Sequence, residues 1–435
     1  MKNNLVLFAI AINLFIVSIT TSYSQDQLEE YKQQFSQYHR QGKLKSALEA
    51  LENAVAFATK KYGKNHNETI DIKLGQAKLY LEINNADKAQ KICLEILALR
   101  NKTDNVTLAT KTLLAKVKIK KKEYKQAEQI LLAIVKVRRE QLAQWKAKKN
   151  KVKDSLADFE DNLDASKQEL ARFYEIRGDN PKAESLILGT IKSSENSKRR
   201  ELALIFNLGK LSSFYIRTNQ LEKAVQINRR MIAVVTRHNG PQHVTNHTLM
   251  LELAGLYDRL KQYDNAKQYL FKALKFTETY RDGPFEKTGS RKLRTLWSLG
   301  SFYLQQKQYD HALDYYNKTL RLCKKVLGEK HPENHRIMTI IAVVYEKKKD
   351  YAKAERYLKE SLQFSKDIKE SNYTLASKKF LAELYALQGF KQKAISQLSD
   401  AIALSETTRG KNDSYTLSLK KELAKLSGKS AHSSK

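Results

Sequence analysis

The chain has 435 residues, with 79 Lys and Arg against 47 Asp and Glu, so its formal net charge is +32. It contains only four prolines, fifteen glycines and two cysteines. So few helix-breaking residues favour long helices joined by short turns, and two cysteines exclude a fold held by several disulfides. A basic charge of this size favours acidic proteins, nucleic acid or anionic envelope polymers as partners, although most charges of a helical protein are solvated on its outer surface.

The first 24 residues have the pattern of a cleaved secretory signal peptide. Lys2 gives a weakly positive start, residues 5–19 form an almost unbroken apolar run, and small residues precede Gln25. The run is shorter than the roughly 20 residues that a membrane-spanning helix needs. We therefore predict an exported chain, periplasmic or secreted, that begins near Gln25 and keeps no integral membrane span after cleavage.

An alanine recurs at intervals of 38 to 56 residues through the remaining chain, at Ala47, Ala89, Ala127, Ala183, Ala224, Ala266, Ala312, Ala354 and Ala394. Eight of these repeat alanines have a tyrosine nine residues before them, and eight have Ala, Gly or Ser twelve residues before them. Positions are numbered below from this alanine, so that the tyrosine stands at −9. Small residues let two helices approach closely, and the tyrosine ring adds apolar bulk. A fixed period of this kind indicates a solenoid.

Each interval has room for two helices and two turns. In the predicted hairpin around Ala266, the sixth repeat alanine, Leu253, Ala254 and Tyr257 lie on one helical stripe. Ala266 and Leu270 begin the stripe of the second helix. Period-two alternation is nowhere sustained, so strands are not expected. The sequence thus predicts an all-α fold of about nine helical hairpins over residues 25–426.

The small residue at −12, the tyrosine at −9 and the alanine together are similar to the tetratricopeptide repeat. Four hairpins also carry a glycine at +16, namely Gly63, Gly240, Gly328 and Gly410. The clearest copy, residues 327–332, resembles the inter-repeat turn of the 42-residue repeats of the kinesin light chain type. A glycine there is expected to end the helix in the left-handed conformation. The resemblance implies a right-handed α-solenoid, and the residue bias and leader resemble exported proteins of Bacteroidetes.

The interval from Ala127 to Ala183 holds about fourteen extra residues, without Gly or Pro from Ala127 to Arg177. Apolar spacing predicts that both helices are prolonged into an extended hairpin near residues 135–170. Its tip is basic and then acidic, which suits the two helix macrodipoles without any partner. The alternative is a docking element, with an interface-anchoring tryptophan and three lysines as its candidate residues: Trp145, Lys146, Lys148 and Lys149.

Catalytic or cofactor-binding motifs do not stand out. Glycine-rich phosphate loops and nucleophile triads are missing from the sequence. His243 and His247 have the i, i+4 spacing of a metal pair, but His243 belongs to the turn and no Cys, Asp or Glu completes the set. Cys93 and Cys323 lie in distant hairpins and are expected to be small core residues. We predict no enzyme, no cofactor and no metal.

The array ends in a capping helix over residues 415–426, and the small, polar and basic residues 427–435 are expected to be disordered.

By elimination and by resemblance, the predicted function is binding. The resemblance to tetratricopeptide arrays implies that the first helix of each hairpin lines a concave surface, which holds a partner peptide or helix. Basic and aromatic residues opposite the tyrosine stripe suit an acidic or extended peptide with an apolar anchor. The alternative is a basic binder of anionic polymer, either envelope polysaccharide or nucleic acid. The partner-binding candidates are Lys210, Arg217, Arg259, Arg294, Trp297, Lys347 and Lys379, with Lys116 and Arg172 in earlier hairpins.

Overall fold

The computed structural model describes residues 27–100, 102–147, 154–195, 201–280, 289–368 and 371–428. Within these ranges the chain forms helices joined by short turns, and no strand. The predicted signal peptide and almost all of the predicted tail lie outside the described residues. The helices are α1 (27–40), α2 (Leu44–Tyr62), α3 (Asn67–Glu82), α4 (Ala86–Leu99), α5 (Asn105–Lys120), α6 (Tyr124–Ala147), α7 (Asp154–Ile176), α8 (Asn180–Glu195), α9 (Glu201–Arg217), α10 (Leu221–Asn239), α11 (Val244–Arg259), α12 (Tyr263–Thr279), α13 (Ser290–Gln305), α14 (Tyr309–Leu327), α15 (Glu333–Lys347), α16 (Tyr351–Asp367), α17 (Ser371–Leu387), α18 (Lys391–Thr408) and α19 (Ser414–Ser427).

The chain divides into two compact units, residues 1–211 and residues 212–435, with the boundary inside α9. In each unit odd-numbered helices are the first helices of hairpins and even-numbered helices are the second. Neighbouring first helices contact each other, as α3 does with α5, α11 with α13 and α15 with α17. These contacts place the first helices on the inner face of each unit. The predicted all-α solenoid is confirmed.

The repeat alanines occupy the tightest positions of the core. All nine are fully buried, because the paired helices cross at this point and leave no room for a larger side chain. Six of the tyrosines at −9 are also buried, and their rings fill the space beside the alanine. The hydroxyl of Tyr80 donates to Glu52 at 2.7 Å, and that of Tyr385 donates to Glu355 at 2.8 Å. These carboxylates lie on the preceding hairpin, so the tyrosine also joins neighbouring repeats.

The turn inside each hairpin has one backbone form in all nine copies. The residue at −5 has a φ between 57° and 79°, and the N–H of the residue at −4 donates to the carbonyl of the residue at −9 at 2.8 to 2.9 Å. This is the Schellman ending of the first helix. Four lysines adopt the left-handed conformation here, although side chains disfavour it. The nine residues at −5 are Gly42, Asn84, Lys122, Gly178, Asn219, Lys261, Lys307, Lys349 and Gly389.

The turn between hairpins differs from the predicted left-handed glycine. Gly63, Gly240 and Gly328 have φ from 88° to 100°, but their ψ lies between 157° and 163°. That region is accessible essentially to glycine alone, so the glycine is needed for a more extended backbone than expected. Three residues later a side chain caps the next helix. Nδ1 of His331 accepts from the N–H of Glu333 at 3.2 Å, and Asp413 takes the same role before α19.

Candidate functional site

The inner face of each unit is formed by recurring positions of the first helices. All nine residues at −7 are exposed, and they mark one end of this face. The positions −18, −15, −14 and −11 continue the face toward the start of the helix. An ion pair of 2.7 Å joins Lys116 at −11 on α5 to Glu169 at −14 on α7, so these positions meet across neighbouring first helices. The predicted partner-binding residues occupy this set of positions.

Three of these candidates lie at the carboxyl-terminal ends of first helices. Arg217, Arg259 and Lys347 all stand at −7 on α9, α11 and α15, and all are exposed. Lys347 is paired with Glu346 at 3.1 Å. Arg259 has no ion-pair partner among the described residues. We call these three residues the lower rim of unit 2.

Arg294 and Trp297 lie at the opposite end, near the start of α13. The guanidinium of Arg336 on α15 stacks over the Trp297 ring at 4.5 Å from its centroid, and Glu333 holds this guanidinium at 2.9 Å. Trp297 also packs edge-on against Tyr316. Arg294 is exposed and has no ion-pair partner in the described part of the chain. Arg294, Trp297 and Arg336 form the upper rim, a compact basic and aromatic cluster that includes one residue the sequence did not single out.

The two rims are well separated. The positions −18 and −7 are eleven residues apart, which corresponds to about 16 Å along a helix. The structure therefore brings Arg294 and Trp297 together but keeps both away from Arg259 and Lys347. Lys379 stands at −15 on α17, the same level as Trp297 in the upper rim, and is engaged by Glu383, with Glu422 at 3.9 Å.

The inner face also carries carboxylates, which the sequence candidates left out. Glu252 on α11 accepts from Nδ2 of Asn228 at 3.3 Å, and Asp258 accepts from Nε2 of Gln306 at 3.3 Å. Burial raises the pKa of both carboxyl groups, although Glu252 keeps one side open to water. Each carboxylate has an amide rather than a cation as its partner. The inner face of unit 2 therefore carries both positive and negative charges and is not uniformly basic.

In unit 1 the inner-face positions are occupied by different residues. Lys210 belongs to this unit, and its ammonium lies over the exposed ring of Phe206 at 4.9 Å from the centroid. Arg172 is paired with Glu175 at 2.7 Å. A hollow beside α1 is lined by polar residues of that helix. Five stand at the inner-face positions, namely Glu29, Lys32, Gln33, Ser36 and Arg40, and Gln37 at −10 is the sixth.

The candidate docking hairpin consists of α6 and α7, which have 24 and 23 residues and are the longest helices described. Trp145 is half-buried and packs against Phe159 with 6.3 Å between ring centroids. Lys146 lies 3.6 Å from Glu160. These contacts join the two helices and engage both residues within the hairpin. Lys148 and Lys149 lie outside the described residues.

The histidines considered as a metal pair have structural partners. His243 caps α11, and the buried ring of His247 lies 2.8 Å from the hydroxyl of Thr295 in the next hairpin. Burial, with help from Arg291 and Arg294, lowers the pKa of His247 to about 4. Within the described ranges, no three His, Cys, Asp or Glu residues are grouped as a metal site would need.

The two cysteines are buried as predicted. Burial raises the pKa of both the Cys93 and Cys323 thiols to about 11, so neither is a ready nucleophile.

Of the helices described, none is both long enough and apolar enough to cross a membrane.

Comparison with known families identifies the repeats. Residues 247–280 match a tetratricopeptide-repeat family, and so do the overlapping stretches 292–367 and 335–407. Residues 247–280 and 292–407 are tetratricopeptide repeats. No curated protein matches the chain.

Several solved structures are similar to the chain or to part of it. BtubC (BKLC) from P. vanneervenii is 16% identical over 55% of this chain and 92% of its own, with a TM-score of 0.41. A putative kinesin light chain with nearly identical repeats from Podosopora anserina is 18% identical over 47% of this chain and 96% of its own, with a TM-score of 0.39. A signal transduction ATPase with a tetratricopeptide repeat sensor from Pyrococcus horikoshii is 16% identical over 92% of this chain, with a TM-score of 0.44. This chain spans 55% of that ATPase.

Proposed function

We propose that the protein is an exported, non-catalytic scaffold that holds a partner peptide or helix on the inner face of its tetratricopeptide repeats. The observation that carries the proposal is the upper rim of unit 2. Arg294 there is exposed without an ion-pair partner among the described residues, beside a tryptophan that Arg336 covers. An exposed guanidinium next to a half-buried aromatic ring is a favourable anchor for a protein partner.

The partner is proposed to be an acidic or extended peptide with one apolar anchor. Carboxylates of such a peptide would pair with Arg294 at the upper rim and with Arg259 or Lys347 at the lower rim. Because the rims are about 16 Å apart along the helices and lie on neighbouring helices, an extended peptide that reaches both needs at least about five residues between its acidic groups.

Export is proposed from the leader alone. Recovery of the native protein outside the cytoplasm, with an N-terminus at or near Gln25, is the expected result of fractionation and N-terminal sequencing. Finding Met1 on a cytosolic protein would refute it.

The inner-face site is tested by charge reversal. Partners are first identified by mass spectrometry after pull-down from the native envelope fraction, and the strongest is then purified. Arg217→Glu, Arg259→Glu and Arg294→Glu together should abolish its binding and leave helix content unchanged, because exposed charges contribute little to folding. The control reverses Lys146, Lys148 and Lys149 on the hairpin. Loss of the partner in the hairpin variant, with retention in the inner-face variant, would move the site to the hairpin.

A further inference from the structure

The fifth hairpin, formed by α9 and α10 around Ala224, has polar residues at two core positions. Ser212 stands at −12, where the other eight hairpins have Ala, Gly or Phe. Asn228 stands at +4, where the others have Leu, Ile, Cys or Tyr, and both side chains are buried. Positions −12 and +4 meet inside a hairpin, as the close approach of Gly300 and Tyr316 shows. Packing alone gives no reason for two polar side chains at this point.

Each of these two side chains keeps a buried polar atom that has no hydrogen-bond partner among the described residues. The atoms are Oγ of Ser212 and Oδ1 of Asn228. Nδ2 of the same Asn228 amide donates to Glu252 at 3.3 Å, so the unpaired carbonyl oxygen lies beside the Glu252 carboxylate. A buried polar atom without a partner costs stability and needs an explanation. A ligand that brings N–H donors to this place would supply one.

Glu252 also lacks the cation that its repeat position has in unit 1. There Lys116 at −11 on α5 reaches Glu169 at −14 on α7, the next first helix, at 2.7 Å. Glu252 stands at −14 on α11, but the residue at −11 on α9 is Ser213, which is exposed. Among the residues that the structure describes, the contact of the Glu252 carboxylate is the Asn228 amide and not a cation. The register therefore marks a place beside Glu252 that an ammonium group occupies in unit 1.

We propose that Glu252 and Asn228 bind the ammonium group of a lysine side chain presented by the partner peptide. The inference rests on the proposed peptide scaffold and adds a basic residue to the chemistry of its partner. An ammonium group has three N–H donors. The Glu252 carboxylate accepts one, and Oγ of Ser213 accepts a second from the preceding first helix. Oδ1 of Asn228 accepts the third after a turn about χ2, a torsion with broad minima.

The chemistry of the place favours lysine over other cations. Calcium takes six to eight oxygen ligands, and magnesium demands a near-ideal octahedron, whereas Glu252 is the one carboxylate here. A guanidinium group is bound best by both oxygens of a carboxylate at once, but Asn228 already engages Oε2 of Glu252. A compact ammonium group needs only one carboxylate oxygen, as Lys116 shows on Glu169.

The same peptide also meets Arg294 of the upper rim, which fixes the spacing of its charges. Arg294 stands at −18 on α13, the first helix next to α11, and Glu252 stands at −14. Four residues along a helix correspond to about 6 Å, and packed helices lie about 8 to 10 Å apart. An extended peptide therefore spans the two sites with its lysine and its acidic residue about three positions apart.

The inference is tested with the full purified protein and an array of synthetic decapeptides on a Gly and Ser background. Each peptide carries one Leu, one Glu and, at every spacing from the Glu, either Lys, Nε-acetyl-lysine, Arg or Gly. The tightest peptides are labelled with fluorescein, and their affinities are measured by fluorescence polarisation. The test variants are Glu252→Gln and Asn228→Leu. The matched control is Glu169→Gln, which removes the same charge at −14 in unit 1, where Lys116 occupies the carboxylate.

We expect the best lysine peptide to bind about tenfold or more tightly than its acetyl-lysine counterpart, because a hydrogen bond to a charged group is lost on acetylation. Glu252→Gln should abolish this difference, and Glu169→Gln should keep it. Asn228→Leu should also reduce it, while stability in urea unfolding stays the same or rises. Leucine is the residue at +4 in five other hairpins, namely at Leu51, Leu131, Leu270, Leu358 and Leu398.

Four results would overturn the inference. Peptides that bind through Glu with no advantage from Lys would refute the lysine site and leave the scaffold standing, whereas no binding by any peptide would refute both. Equal or tighter binding of the arginine peptides would refute selection of an ammonium group. Equal losses in Glu252→Gln and Glu169→Gln would show that net charge alone explains the effect. A marked loss of stability in Asn228→Leu would show that the amide serves the fold and not a ligand.

Discussion

Gly300 is the small residue at −12 in the seventh hairpin, and its size is set by one neighbour. A Cβ built on Gly300 would lie 2.8 to 3.0 Å from three ring carbons of Tyr316, closer than real side chains pack. Tyr316 stands at +4 and is almost fully buried, with its hydroxyl 3.0 Å from Ser301. Other hairpins combine alanine at −12 with leucine at +4, in the pairs Ala254 and Leu270, Ala342 and Leu358, and Ala382 and Leu398. We predict that Gly300→Ala and Tyr316→Leu are each destabilising but compensate each other.

The expected free energies follow from opposing effects. Alanine is better than glycine inside a helix by about 1 kcal/mol, while forcing a methyl group into a packed core costs about 1 to 3 kcal/mol. At 2.8 Å from a buried ring the clash should dominate, so Gly300→Ala should lose about 1 kcal/mol. Tyr316→Leu leaves a cavity and should lose about 2 to 4 kcal/mol. The double variant fills part of that cavity with the alanine methyl, so the coupling free energy should be about 2 kcal/mol in favour of the pair.

The assay is a double-mutant cycle measured by urea unfolding. Hydrogen exchange of the α13 and α14 amides is measured in parallel, because repeat arrays can unfold in segments. The unaltered chain and the three variants share all other residues, which makes the cycle its own control. A Gly300→Ala variant that is more stable than the starting protein, with additive effects in the double variant, would refute the packing argument.

Three further predictions concern the repeat core and its turns. Ala266→Leu or Ala312→Leu should overpack a fully buried helix crossing and lose about 1 to 3 kcal/mol in urea unfolding, and unchanged stability in both would show that the repeat register is misplaced. Lys307→Gly should gain up to about 1 kcal/mol, because φ is 57° there, whereas Lys307→Ala should gain nothing. His247 has a folded-state pKa of about 4 against 6.5 as its ordinary value, so the unfolded chain binds the proton more readily and stability should fall by roughly 2 kcal/mol between pH 7 and pH 5. His247→Gln should flatten that part of the pH profile, and an unaltered profile would contradict the assignment.

The sequence predicted the buried half of each repeat well, for a physical reason. Positions 0, −9 and −12 lie at the helix crossing, so packing favours the same residue sizes in almost every copy, with Lys118 at −9 and Phe35 at −12 as the exceptions. Nine alanines at one register were therefore visible without a structure. Tyr38 and Tyr345, which are half-buried, show that the pattern tolerates variation where a neighbouring hairpin covers the ring less completely.

The turns were only partly predictable. The residue at −5 has a positive φ in every hairpin, but four copies use lysine there, and lysine gives no turn signal. Tertiary packing of the two helices imposes the conformation on whichever residue stands at that position. At Gly328, by contrast, the sequence located the turn correctly because glycine is a turn signal. The ψ of 157° at this residue became known only from the structure.

The sequence predicted which side of the first helices carries the candidate site, but not which residues lie together on that side. Helical periodicity is enough to separate the inner face from the tyrosine stripe, and the seven candidates lie at recurring first-helix positions. Contacts between hairpins are invisible to periodicity, because they depend on how neighbouring first helices meet. Arg336 was missed for this reason, although it covers Trp297 from the next first helix. Glu252 and Asp258 were missed because the search was for basic residues.

The mixed charge of the inner face changes what a net charge of +32 implies for a partner. On α11 the groove presents Glu252 and Asp258, each held by an amide group, while α13 presents Arg294. A uniformly acidic peptide gains at Arg294 but meets two carboxylates on the preceding first helix, and like charges at short range oppose binding. We therefore propose that a partner on the inner face is selected by the order of charges along the peptide and not by its total negative charge.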